Sequence, residues 1–267
     1  MEISEKTTFT LFVAIGVITS VTFHWALSLF FARKSKNYFL YDLWQLWPES
    51  QPFLKAQWPF IAAATAGATW AQLQPTIDES NQPEVLFTRT LILFGPTVIS
   101  WILMLFFVSY LAEPKYPGRV ASIGIQALLL YTIVDNLILA VSLSGLLFFV
   151  APALIMTVRN CLFLPIYAIN GHKPLSAIRQ SWALTAHKYW IVSRYMGIPI
   201  ILSTSTIMSH LLLAEVLGGS GQVAVKNLPL TVVCVVLFQL ANLFIGGFLY
   251  KLYDRLSAEE QANVISH

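Results

Sequence analysis

Long apolar runs alternate with short polar ones along this chain. A bilayer span needs about 20 mostly apolar residues, and six segments qualify: Thr8 to Ala32, Leu91 to Leu111, Val120 to Val141, Leu146 to Ile169, Trp190 to Leu217, and Pro229 to Tyr250. A seventh, Trp58 to Leu73, is shorter and rich in Ala and Thr, which fits a short span, a re-entrant segment or an interfacial one. Only Ser142 to Gly145 separates the third run from the fourth, so those two are expected to form an antiparallel hairpin.

The basic residues arbitrate on the seventh segment, because cytoplasmic loops retain Lys and Arg. With seven spans and the N-terminus outside, the inner side receives Arg33, Lys34, Lys36, Lys55, Lys115, Arg119, Lys173, Arg179, Lys188, Arg194, Lys251 and Arg255, twelve of the 16 cations. The outer side receives Lys6, Arg89 and Lys226, and the loop from Gln74 to Thr88 carries Asp78, Glu79 and Glu84. Deleting the seventh span scrambles this sorting, so it is retained. The N-terminus reads MEISEKTT before its apolar run and is basic after it, the reverse of a cleaved signal peptide, which predicts a retained anchor.

Two inner segments have helical periodicity of their own. Leu40, Leu43, Trp44 and Trp47 recur at i, i+3, i+4 and i+7, and Leu175, Ile178, Trp182, Thr185 and Tyr189 trace a similar stripe, with Arg179, Gln180, His187 and Lys188 off it. Each leads into a span. Such helices lie in the headgroup plane with aromatics at the boundary and cations towards anionic lipid. Trp44, Trp47, Arg179, Trp182, Lys188 and Tyr189 are therefore the candidate residues for binding lipid or a partner, and a bland solvated connector is the alternative.

Composition agrees with the pattern. The chain has 267 residues, 57% of them hydrophobic and 11% charged, with a mean hydropathy of +0.68. This is the composition of an integral membrane protein rather than of a soluble domain. A net charge of +3 is too small and too scattered to point to nucleic acid. Cys161 and Cys234 both lie in apolar runs and read as small core residues rather than a disulfide or metal pair.

Ionisable side chains within a span are functional candidates, since placing one at the bilayer centre costs about 2.5 to 3.5 kcal/mol on insertion scales. Here these are His24, Asp135, Arg159, Arg194 and His210. Asp135 and Arg159 fall on the two arms of the expected hairpin, so they are expected to form a buried polar pair assisted by Asn136 and Asn160. Helix-to-helix glue, an anionic headgroup site at Arg159 and an ion or proton relay are its three possible roles. Neither His24 nor His210 has a second ligand at metal spacing. No G-x-S-x-G, H-E-x-x-H, P-loop or dinucleotide fingerprint occurs, so no catalytic residue, metal or cofactor is expected. Pro96, Pro152, Pro165, Pro199 and the pair Gly246 and Gly247 interrupt spans, as in transporters and plain bundles alike.

The segment from Pro152 to Trp190 carries a resemblance. A Pro-bearing span with a central Arg159, a second Pro165, a polar turn at Asn170 to Lys173, and then the helix with Ala177, Ser181, Leu184 and Thr185 resembles the YciC-like bacterial inner-membrane proteins. It is also similar to the related membrane domain of some glycerophosphoryl diester phosphodiesterases. The likeness is most specific over these residues and extends loosely from Tyr38 through Arg255. It implies a six-span helical domain of the inner membrane with a role in envelope or lipid homeostasis, and it supplies no catalytic residues. Residues 1–36 then form an N-terminal transmembrane anchor, 37–256 the YciC-like polytopic domain and 257–267 a polar cytoplasmic tail.

The expectation is thus an all-α integral membrane protein of the bacterial inner membrane. It has a bundle of about seven transmembrane helices with two amphipathic helices on the cytoplasmic side, an outer N-terminus and an inner C-terminus. Its expected function is that of a non-catalytic scaffold or accessory subunit that binds anionic lipid, a protein subunit or another copy of itself. A small-solute or lipid transporter using Asp135 and Arg159 at mid-depth is the runner-up, and a membrane enzyme acting on lipid is a third reading.

Overall fold

The computed structural model describes residues 19, 21–33, 38–73, 83–148, 150–171, 173–197 and 228–265 along the backbone. Within the helices, the side chains at 39, 68, 70–73, 83–97, 139–140, 142–148, 150–152, 228, 230–231, 234–235, 238 and 263–265 are outside that description. The fold is all-helical, with no strand among the described residues. In chain order the elements are α1 (21–31), α2 (Phe39–Leu73), α3 (Pro83–Ala112), α4 (Ile125–Phe148), α5 (Val150–Asn160), α6 (Phe163–Ile169), α7 (Pro174–Ala186), α8 (189–197) and α9 (Leu228–Ile265). Among the described residues, no helix is long and apolar enough to cross a membrane. The expected span from Trp190 and the residue His210 lie mostly or wholly outside the described residues, as does the loop at Gln74.

Three elements differ from the sequence expectation. The Leu40 to Trp47 stripe and the short segment Trp58 to Leu73 belong to one continuous helix, α2, with Pro48, Pro52 and Pro59 inside it. Each proline withholds one backbone N–H from the helical ladder, and all three are exposed. The residues Ser142 to Gly145 are helical, so α4 runs on to Phe148, and α5 begins at Val150. The expected span from Leu146 to Ile169 is interrupted at Cys161 and Leu162, where α5 stops and α6 begins. The cause is Pro165, which has no N–H for the Cys161 carbonyl four residues back and whose ring crowds that carbonyl.

α6 is the centre of the molecule. All seven of its residues are buried, and it packs against α3, α7 and α9. Around it Leu46, Leu105, Val108, Tyr131, Val192, Phe248 and Leu252 build one apolar core drawn from five other helices. α9 approaches α2 and α3 through two glycines. A Cβ on Gly246 would stand 2.6 Å from Met104 Cγ, and one on Gly247 would stand 3.0 Å from Leu46 Cδ2. Only glycine lets the helix backbones come this close.

α1 is pinned to α8. The Trp25 indole lies on Gly197, where a Cβ would be 1.8 Å from Trp25 Cδ1, and its N–H donates to the Arg194 carbonyl at 3.3 Å. Phe31 stacks on Trp190 at 4.7 Å, and the Arg194 guanidinium donates to the Ala32 carbonyl at 2.8 Å.

Candidate functional site

The first turns of α2 divide into two faces. Asp42, Leu46, Ser50 and Phe53 are buried at spacings of three and four, whereas Leu40, Leu43, Trp44 and Trp47 all point outward, Trp44 with 83% of its surface exposed. An isolated amphipathic helix in water would do the opposite and hide its apolar stripe. The physical cause is the buried carboxylate, which needs partners and finds them only within the bundle.

Asp42 is the anchor of this end. Its side chain is 1% exposed and receives the Arg255 guanidinium on Oδ1 at 2.6 Å and the Tyr195 hydroxyl on Oδ2 at 2.5 Å. The same guanidinium lies 3.9 Å from the centre of the Tyr38 ring. A charge buried in this way is satisfied on both oxygens, and its cation is further held by the ring face. α2, α8 and α9 meet there.

Three further ion pairs surround this centre, all on the same stretch of α9. Lys251 Nζ reaches Glu49 Oε2 at 2.8 Å, Asp254 takes Lys115 from the connection between α3 and α4, and Glu259 takes Lys188 Nζ at 2.5 Å from the turn between α7 and α8. The connection bearing Lys115 is itself strapped. The Glu113 carboxylate accepts the backbone N–H of Gly118 at 2.6 Å and of Val120 at 2.9 Å, while Gly118 adopts φ +83°. Those backbone donors, Val120 first, hold the Glu113 carboxyl below its ordinary range. The Asp254 carboxylate, by a hydrogen bond, raises that of Lys115. The result is a collar of charge at one end of the bundle, from which α4 leads away.

α7 packs on α5 and α6. Its buried face is Ala177, Ser181, Leu184 and Thr185. Ser181 Oγ donates to the Arg159 carbonyl at 2.6 Å, and the Trp182 indole N–H donates to Asn160 Oδ1 at 2.9 Å. The Arg159 guanidinium donates to the Trp182 carbonyl at 3.2 Å and lies 5.9 Å from the Tyr189 ring centre. Asn160, itself buried, also donates to the Met156 carbonyl at 3.0 Å.

The expected polar pair is therefore not assembled. No ion pair joins Asp135 to Arg159 among the described residues, and Asn136 turns back on its own helix to the Thr132 carbonyl at 2.6 Å. Tyr131 stacks on Phe163 and packs against Tyr167, while the Arg159 guanidinium is bonded to the Trp182 carbonyl of α7.

The six candidate lipid or partner residues separate in the same way. Trp44, Trp47 and Arg179 are exposed, and Trp182 is exposed over part of its ring. Lys188 is committed to Glu259. Tyr189 belongs to α8 rather than to the α7 stripe, and its hydroxyl meets His24 Nε2 at 3.0 Å. Thr185 is buried, so the second stripe is not one face.

Asp42, Tyr195 and Arg255 escaped the sequence reading. The available signal was an acid, Asp42, set off the aromatic stripe of Leu40 to Trp47 in a segment with more cations than acids. Among the described residues, no group of three or more His, Cys, Asp or Glu could hold a metal ion. No family model, no curated protein and no solved structure matches this chain.

Proposed function

We propose that the chain is a multi-pass protein of a bacterial inner membrane, of the YciC-like kind. In this reading it acts as a non-catalytic scaffold or accessory subunit that holds anionic lipid at an aromatic rim beside its charged collar. The observation that carries the reading is the outward stripe of Leu40, Leu43, Trp44 and Trp47 on a helix whose opposite face is locked by Asp42. Water does not stabilise such a surface, whereas the boundary of a bilayer does.

The exterior of α4 supports it. Ile125, Leu129, Ile133, Leu137 and Val141 recur every four residues and are exposed, Ile125 by 78%. Lipid is the solvent such a ridge suits. The collar gathers Lys115, Lys188, Lys251 and Arg255 at one end, four of the cations that sort to the cytoplasmic side. Arg179, Lys173 and Lys55 are exposed and in none of these pairs, so they remain for acidic headgroups. A transporter using Asp135 and Arg159 together lacks this support, because Arg159 is bonded to α7.

Native mass spectrometry of the full chain released from nanodiscs containing phosphatidylglycerol tests the proposal. Retained acidic lipid that falls when Trp44→Ala and Arg179→Gln are combined supports it. A chain that alkaline carbonate strips from membranes, or lipid retention that the double variant leaves unchanged, overturns it.

A further inference from the structure

Near the middle of α4, one turn apart on one side of the helix, two polar groups lack partners. Tyr131 is fully buried, with its ring against Phe163 at 6.2 Å and Tyr167 at 5.8 Å. Its hydroxyl has no hydrogen-bond partner. Asp135, four residues on and half-buried, makes no hydrogen bond or ion pair among the described residues, and its carboxyl acts electrostatically on the Tyr131 hydroxyl.

The surrounding groups are spoken for. Thr132 Oγ1 donates to the Leu128 carbonyl at 2.9 Å and Asn136 to the Thr132 carbonyl at 2.6 Å. The Tyr167 hydroxyl donates to the Ala127 carbonyl at 2.7 Å. Arg159 is bonded to the Trp182 carbonyl. Cys161, at the break between α5 and α6, is a free thiol. Buried polar groups are almost always paired, and a carboxylate in hydrocarbon keeps either its proton or a counter-cation. Among the described residues, no cation is paired with Asp135.

We propose that Asp135 and Tyr131 form an intramembrane binding site for a small cation, a proton or a dehydrated alkali ion. The site lies at the level where α5 breaks into α6. The carboxyl supplies the negative charge. The phenolic oxygen, which has lone pairs to give and no other partner, supplies a second ligand atom. Broken helices at mid-depth serve this purpose in membrane proteins, because the interrupted ladder leaves carbonyls near the site. The proposal rests on the membrane reading above, and the two fail separately: carbonate extraction decides whether the chain is embedded, whatever happens at Asp135.

The experiment is carbodiimide labelling of the full chain in proteoliposomes, read by mass spectrometry of the peptide containing Asp135. Dicyclohexylcarbodiimide enters the bilayer and reacts with carboxyls that carry a proton. We expect label at Asp135 and none in Asp135→Asn. Label that falls as pH rises and ignores sodium or potassium identifies the proton. Label that either ion suppresses at constant pH identifies an alkali ion. Tyr131→Phe, which removes only an unpaired hydroxyl and leaves the ring packing, is expected to move the pH midpoint or the protecting ion concentration several-fold. An embedded chain with no label at Asp135, or label indifferent to both pH and ions, overturns the site. An unchanged midpoint in Tyr131→Phe overturns the part assigned to the hydroxyl.

Discussion

Asp42 joins three helices through two oxygens, and its energetics are those of a buried charge. Removing Arg255 alone leaves a carboxylate that is 1% exposed, whereas removing Asp42 alone leaves a guanidinium that is 25% exposed and already reaches solvent. Arg255→Leu is therefore expected to destabilise the chain more than Asp42→Leu, by about 3 kcal/mol or more, while the double replacement loses less than the sum. Chemical unfolding of the four proteins in mixed micelles gives the cycle, and additive losses would refute the coupling. Gly197 makes a second residue-scale prediction. Any side chain there meets the Trp25 ring, and overpacking of this kind costs about 1 to 3 kcal/mol. Gly197→Val should lower the melting temperature and open α1 to proteases, whereas Trp25→Ala in the same background should recover part of the loss.

At the level of elements, the connection between α3 and α4 is organised by one carboxylate. Glu113 accepts two backbone N–H groups of the turn, and these hold its carboxyl below the usual range. A group whose folded value is depressed stabilises the fold above its unfolded value, and the contribution is lost as pH falls through the folded value. The melting temperature of the native chain should therefore decline more steeply than that of Glu113→Gln as pH is lowered from neutral into the acid range. Parallel curves for the two proteins would contradict the strap. α2 shows a different lesson, since its outward Trp stripe depends on the register that Asp42 imposes. In Asp42→Asn, Arg255 and Tyr195 keep a hydrogen-bonding partner, so Trp44 fluorescence should shift less than in Asp42→Leu.

For the molecule as a whole, the collar ties α2, the α3–α4 connection and the α7–α8 turn to the last part of α9. Three of its pairs lie partly in solvent, where each contributes about 0 to 1 kcal/mol and is screened by salt. The Arg255 pair has a buried acid and is screened far less. Hydrogen exchange at 251–262 in proteoliposomes should therefore rise with ionic strength, while exchange around 40–46 changes little. A uniform rise over both regions would place the Asp42 pair among the exposed ones.

The helical class of the fold and most of its long helices were legible in the sequence, because hydrophobic runs of this length leave few alternatives to helix. The stripe at Leu40 to Trp47 was also legible, since helical periodicity is a local property, whereas the stripe read over Leu175 to Tyr189 was not one face, because packing buries Ala177, Ser181, Leu184 and Thr185 instead. The break at Cys161 could be located from Pro165, whose missing N–H and ring act only four residues away. Partner choice was not legible. Arg159 and Asp135 lie on two helices that pack together, yet Arg159 bonds the Trp182 carbonyl of α7 instead. Asp42, Tyr195 and Arg255 are more than 150 residues apart at their extremes, and nothing in a sequence window couples them. Tertiary structure decided which charges meet, because a buried charge is stabilised by whichever partner the packed helices bring within hydrogen-bonding distance.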